Sequence, residues 1–261
     1  LESAMKAASV GSATGAFAIG TIAITDKGSL SLSNTTLIRD IDALKTITGA
    51  YKLNVTEINV ADALALKPPS KDATLSFNVV DTATNISANW DKLQAAAKAK
   101  TLTSLTVTDS TSTLLSINST QFKSGPDLLA LIKNDYKLSV TGVAVTDLAK
   151  TLAAKNIYSV AVADTAANIL KNISVLQTAV SASKIQSVML LDVSGPGLSI
   201  SDALALTKTL PNLTMNSTAK FAIKDTANNI IAHARNDIGN VLAMAGSIAI
   251  TDKTAPTLTL A

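Results

Sequence analysis

The sequence predicts an α/β fold: a strand-helix repeat solenoid with a largely parallel sheet on one side and helices on the other. Three observations predict it. The first is repetition. Thr21-Ile-Ala-Ile-Thr-Asp26 returns as Ser104-Leu-Thr-Val-Thr-Asp109 and again as Ser187-Val-Met-Leu-Leu-Asp192, each time 83 positions on. Phe77-Asn-Val-Val-Asp81-Thr-Ala-Thr-Asn85-Ile86 returns with the same step as Val160-Ala-Val-Ala-Asp164-Thr-Ala-Ala-Asn168-Ile169. The second is that both phrases come back early. Phe221-Ala-Ile-Lys-Asp225-Thr-Ala-Asn-Asn229-Ile230 follows after 61 positions, and Asp252 comes 60 after Asp192, so the third unit has lost about 22 residues. A fold that survives such a loss is built from stackable pieces of about that size. The third is that the hydrophobic period within a unit alternates between two and about 3.6, as strands and helices require.

Residues 1–252 read as a single repeat domain with units at about 19–101, 102–184 and a shortened 185–246. A partial leading helix occupies 1–18, and 253–261 begin a linker or a following domain. The second unit justifies each element. Ser104 to Thr108 alternates as a strand, Asp109 to Thr113 is a polar turn, and Leu114 to Ile117 resumes the strand pattern. Ser124-Gly-Pro-Asp127 then opens a helix, with Pro126 well placed near its start. A strand region over Tyr136 to Val145 precedes a helix at Asp147 to Ala154, then a strand at Tyr158 to Val162 and a long helix from Thr165 to Lys184. That long helix carries a buried stripe at Ile169, Ile173, Leu176 and Val180, matching Ile86, Trp90, Leu93 and Ala97 one unit earlier. The third copy runs Ile230, Ala234, Ile238 and Val241 or Leu242. Because Ile and Ala replace Trp90, that position reads as core and not as a ligand platform.

Composition narrows the function. The chain is 47% hydrophobic but only 3% aromatic, so its core is laid down in regular aliphatic layers. Cysteine is absent, which removes disulfides and thiol chemistry. The net charge of +3 comes from scattered lysines, with no basic tract for nucleic acid. No apolar run reaches the roughly 18 residues of a membrane span, so no membrane insertion is expected.

Each strand that feeds a helix is read as ending in an Asp that caps it: Asp62, Asp81, Asp147, Asp164 and Asp225. Such a carboxylate accepts from free backbone N–H groups and favours the positive end of the helix. The sharper alternative is a carboxylate row that binds Ca²⁺, although the Gly-Gly-x-Gly-x-Asp signature is missing. Asn85, Asn168 and Asn229 recur four residues after an Asp and are expected to stack between rungs, satisfying loop carbonyls of their neighbours. These eight residues are structural candidates; no catalytic, cofactor or metal residue is named. His233, the sole histidine, falls where Asn172 and Asn89 stand in the other units and reads as a surface residue. No nucleophile elbow, phosphate loop, zinc motif or dinucleotide fingerprint is present. Carboxylate pairs of the glycosidase kind remain open at Asp40 with Asp42 or Asp202 with Asp225.

Val162-Ala-Asp164-Thr-Ala-Ala-Asn-Ile169, a helix, and then Ile185-Gln-Ser-Val-Met-Leu-Leu-Asp192 together resemble the repeat regions of large secreted or surface proteins of Gram-negative bacteria, including type I-secreted adhesins and surface-layer-like proteins. Asp252-Lys-Thr-Ala-Pro256-Thr resembles the opening of a bacterial immunoglobulin-like domain in such proteins. The resemblance implies an extracellular or cell-surface location, further domains in the same polypeptide, and no catalytic residue. The expected function is a non-catalytic structural or adhesive segment, partnered by surface polysaccharide or by other copies of itself. A self-assembling surface layer and a carbohydrate-binding module or polysaccharide-active enzyme are the alternatives.

Overall fold

The computed structural model describes residues 21–24, 29–109, 113–191, 197–210, 213–215, 221–234 and 245–252. The expected leading helix, Asp26, Asp192, the turn at Gly195 and Pro196, Ile238, Val241, Leu242 and the tail from 253 lie outside the described residues. The protein is a mixed α/β chain with parallel sheets, and it divides into two compact units, 1–115 with 120–136 and 116–119 with 137–261. The chain thus enters the second unit at 116, returns to the first at 120 and leaves again at 137. These divisions do not fall at the repeat boundaries.

In the first unit the described elements run β1 (Ile22–Ala23), β2 (Ser29–Ser33), α1 (Asn34–Lys45), β3 (Ile47–Thr48), β4 (Tyr51–Ile58), α2 (Val60–Ala65), β5 (Ala73–Asp81), α3 (Ala83–Ala88), α4 (Trp90–Lys98) and β6 (Leu102–Val107). After β7 (Leu114–Asn118) come α5 (Ser119–Ser124) and α6 (Pro126–Ala130). One sheet has the order β2-β4-β5-β6 and a two-stranded sheet joins β1 to β3. The second unit continues with β8 (Lys137–Val143), a 3-10 turn (Val145–Asp147), α7 (Leu148–Leu152), β9 (Ile157–Asp164), α8 (Ala166–Lys171), α9 (Ile173–Ser181) and β10 (Ile185–Leu190). It closes with α10 (Ile200–Thr209), β11 (Leu213–Met215), β12 (Phe221–Asp225), α11 (Ala227–Ala234) and β13 (Ala245–Ile250). Its sheets are β7-β8-β9-β10-β11 and β12-β13. Every pairing with a described register is parallel.

Strand order follows chain order because each strand returns, through a helix, to the edge its predecessor leaves open. One segment breaks the simple sequence. Residues 131–134 extend the sheet beside β6: Leu105 N–H donates to Leu131 O at 3.0 Å, and Lys133 N–H to Leu105 O at 2.9 Å. The Asn134 side chain then stands in for a further peptide, accepting from Val107 N–H at 3.0 Å and donating to Val107 O at 2.8 Å. The last strand of the first ladder is therefore reached only after β7 has been laid down in the next. The same order recurs at β10, Leu198 and β11, since Leu198 bridges Ile223 while Leu213 pairs with Val188. It recurs again at β1, β2 and β3.

The core is aliphatic, as the composition requires. Leu53, Val55, Val79, Leu105, Leu138, Val140, Val160 and Val188 are fully buried on the strands, and Ile86, Leu93, Ile169 and Leu176 cover them from the helices. Burial of each such side chain contributes about 1.5–3 kcal/mol. The hydrophobic spacing predicts one helix over Thr165 to Lys184. It is two, broken at Asn172 (φ −115°, ψ 21°), as α3 and α4 are broken at Asn89 (φ −113°, ψ 19°). Each Asn side chain donates to the carbonyl four residues back, Asn89 to Asn85 at 3.0 Å and Asn172 to Asn168 at 2.9 Å, and so competes with the continuing helix. In the third copy His233 replaces this Asn and α11 runs through it unbroken.

The break reshapes the predicted stripe. Ile86, Trp90, Leu93 and Ala97 are all buried. In the second copy Ile169 and Leu176 are buried with Ala179, while Ile173 and Val180 are half-buried. Of the third copy, Ile230 is described and is half-buried.

Candidate functional site

The recurring phrase Asp-Thr-Ala-x-Asn builds one polar device three times. β5, β9 and β12 each end in the Asp, and the following Thr is the N-cap of the next helix. Thr82 Oγ1 accepts from Asn85 N–H at 3.3 Å, Thr165 Oγ1 from Asn168 N–H at 3.2 Å and Thr226 Oγ1 from Asn229 N–H at 3.2 Å. The Asp points elsewhere. One oxygen of Asp81 accepts from Thr82 N–H and from the Asn85 side chain, both at 2.7 Å. Its other oxygen accepts from Val60 N–H at 2.8 Å, the first residue of the preceding helix α2. Asp164 repeats the pattern with Thr165, Asn168 and Val145, and Asp225 with Thr226, Asn229 and Ile200.

These bonds differ from the expected ones in three ways. The side-chain cap on the following helix is Thr82, Thr165 and Thr226, whereas Asp81, Asp164 and Asp225 close the helix that comes before. Asn85, Asn168 and Asn229 donate to the Asp of their own turn and not to carbonyls of neighbouring loops. Asp62 and Asp147 do not end strands: Asp62 lies in the first turn of α2, and Asp147 ends the 3-10 turn. Asp62 N–H donates to the side chain of the N-cap Asn59 at 2.9 Å, and the Asn59 side-chain amide donates to the Asp62 carboxylate at 2.8 Å, so the cap and the first turn hold each other. Ala144 stands where Asn59 does and carries no side-chain acceptor, so the second copy starts in a tighter 3-10 turn with no side-chain cap.

Two members of the device were missed. Asp109 accepts from Ala83 N–H, and Asp252 accepts from Ala227 N–H at 2.8 Å, so each closes the helix one step back as Asp81 does. The signal was in the sequence, because both end the first repeated phrase. The carboxylates sit in a donor-rich setting. Burial would raise Asp81, but hydrogen bonds from Val60 N–H, the Asn85 amide and Thr82 outweigh it and hold the group below the usual range. Ile200 N–H and the Asn229 amide hold Asp225 down against burial, with Thr226 and the charge of His233 adding to the effect.

A second polar feature runs across the strands. Ser31, Asn54 and Ser76 stand in register on β2, β4 and β5. The Asn54 amide donates to Ser31 at 3.4 Å, and Ser76 donates to Asn54 at 3.1 Å. Thr103 on β6 donates to Asn78 on β5. In the second unit Ser159 donates to the buried Ser139 at 3.1 Å, which donates to Gln186 at 3.4 Å.

The other sequence candidates do not assemble into a centre. Asp40 is buried and held by Arg39 at 2.9 Å, whereas Asp42 is exposed and paired with Lys45 at 2.9 Å, so the two carboxylates face apart on α1. Asp202 bonds Ser199 at 2.7 Å in the first turn of α10, while Asp225 is engaged by Ile200 N–H. No group of three or more metal-ligating side chains occurs among the described residues, nor any helix long and apolar enough to cross a membrane. Open recesses lie between Ala97, Leu102 and Leu131, and between Leu37, Ile41 and Leu66. No family model matches the chain, and neither does any curated protein or solved structure.

Proposed function

We propose that the chain is a non-catalytic structural or adhesive repeat segment of a secreted or cell-surface bacterial protein, stacked as a strand-helix solenoid. One observation carries this reading. The third copy lacks a rung, yet Asp225 closes α10 with the same bond that Asp81 and Asp164 make to the helices of a full rung. A carboxylate that serves whichever helix precedes it makes rungs interchangeable, and interchangeable rungs suit a protein selected for length and display. The carboxylate oxygens are taken up by backbone and amide donors, which favours a scaffold over chemistry. The Ser, Thr and Asn ladder offers an extended polar face suited to surface polysaccharide, and solenoids present faces of this kind.

The test removes one rung. Ile132 and Asp164 are 32 positions apart, and deletion of the 20 residues 137–156 leaves 12, the interval from Leu213 to Asp225. The deleted chain is expected to unfold cooperatively in urea, with an m-value reduced only in proportion to the surface lost. Loss of the cooperative transition would refute the reading, because a fold built around one site does not tolerate losing a strand and a helix. A cut at 119–140 would instead take residues 131–134, which complete the first ladder.

A further inference from the structure

We infer that the chain associates head to tail with a second copy of itself by strand exchange, β13 of one copy replacing β1 of the next on the edge of β3. The inference rests on the stacked-repeat reading and is independent of adhesion. Three equivalent strands carry the first repeated phrase through their central residues Ile22, Leu105 and Val188. Each is paired on its outer edge by an equivalent apolar residue: Ile22 by Ile47, Leu105 by Ile132 and Val188 by Leu213. Ile248 is the fourth member of this series, 60 positions after Val188. Among the described residues β13 is paired only by β12.

Among the described residues that edge is open, and its stripe is apolar. Ile248 is 42% exposed and Ile250 is 51% exposed, whereas Leu105, Val188 and Leu190 are 0% and Val107 is 3% exposed. At Leu105 and Val188 the outer edge is taken by a residue of the Ile47 type, and the chain holds one whose present partner can be replaced without change of side chain. Ile22-Ala-Ile-Thr-Asp26 and Ile248-Ala-Ile-Thr-Asp252 are the same pentapeptide. Among the described residues β3 and β1 form a two-stranded pair, Ile22 with Ile47 and Ala23 with Thr48. Exchange gives Ile248 with Ile47 and Ala249 with Thr48 in the same register, and it brings β12 in behind. Two two-stranded sheets then become one ladder of three strands, β12-β13-β3, which is better supported than either pair. Because the two surfaces differ, the contact is heterologous and propagates along a row of copies.

The absence of cysteine allows a direct test. The single variants Thr48→Cys and Ala249→Cys are mixed and oxidised. A covalent heterodimer that grows with concentration, and at least tenfold less homodimer from either variant alone, is expected. Sedimentation of the wild-type chain is expected to show concentration-dependent association, weakened at least tenfold by Ile248→Lys with Ile250→Lys. The double variant Ala23→Cys/Thr48→Cys, locked by its own disulfide, is expected to remain monomeric. A wild-type chain that stays monomeric, or mixed cysteine variants that give no heterodimer, overturns the proposal. If the lysine variant fails to fold by Trp90 fluorescence, the cysteine mixing decides alone. Monomers from a chain that still tolerates loss of residues 137–156 would refute the exchange and leave the repeat reading standing.

Discussion

Replacement of Asp81 by Ala removes the acceptor that ties α2 to the turn before α3. Three donors lose a charged partner: Val60 N–H at 2.8 Å, Thr82 N–H at 2.7 Å and the Asn85 amide at 2.7 Å. Val60 is fully buried, so its N–H is left without water and costs about 2–3 kcal/mol. Thr82 is half-buried and Asn85 exposed, so these recover solvent and lose about 0.5–1 kcal/mol each. The expected destabilisation of Asp81→Ala is therefore about 3–5 kcal/mol, a large part of the stability of an ordinary domain. Urea unfolding followed by Trp90 fluorescence reads it directly, since the only tryptophan is 1% exposed and lies in the same compact unit. A pH series adds an independent readout. The folded protein holds Asp81 below the ordinary carboxylate range, so the unfolded chain takes up a proton first as the pH falls. The stabilisation is complete above the unfolded value of about 3.9 and is lost as the pH drops through the lower folded value. Asp81→Asn should flatten that part of the acid limb. A loss below about 1 kcal/mol in Asp81→Ala, with an unchanged acid limb in Asp81→Asn, would show that Asp81 does not hold the start of α2.

Two further substitutions test local geometry. Glu57 adopts φ 56° at a register shift in β4, and Gly142 adopts φ 67° at the corresponding shift in β8. Glu57→Gly is therefore expected to stabilise by about 0.5–1 kcal/mol in urea unfolding, relief of the left-handed strain exceeding the added chain entropy. A Cβ on Gly125 would lie 2.7 Å from the Gln121 carbonyl and 3.2 Å from the Trp90 ring. Gly125→Ala should cost about 1–3 kcal/mol and shift Trp90 emission, since backbone and a buried indole cannot both give way.

The repeat period, the alternation of strands and helices, and the burial of Trp90 were legible because each depends on local pattern or on self-comparison. The helix break at Asn172 was not, because an Asn at a regular offset reads equally as a helix residue until its side chain is seen to bond the carbonyl behind it. The backward reach of Asp81 was hidden for a different reason. Its partner, Val60, lies 21 positions earlier, and only the pairing of β4 with β5 brings the two together. Residues 131–134 look like the end of a helix in sequence, and they pair with β6 only because the chain lays down β7 first. The Thr caps were readable in principle, since Thr followed three residues later by a polar side chain is a helix-start signal. The Asp beside each Thr drew that role to itself.

Interchangeable rungs require that each Asp closes whichever helix precedes it. The most direct measurement is the structure of the chain lacking residues 137–156. Leu115 is predicted to pair with Val162 as Leu198 pairs with Ile223, and Ile117 N–H to donate to Asp164 as Ile200 N–H donates to Asp225. A folded chain in which β9 pairs elsewhere and Asp164 accepts nothing from the preceding segment would contradict it.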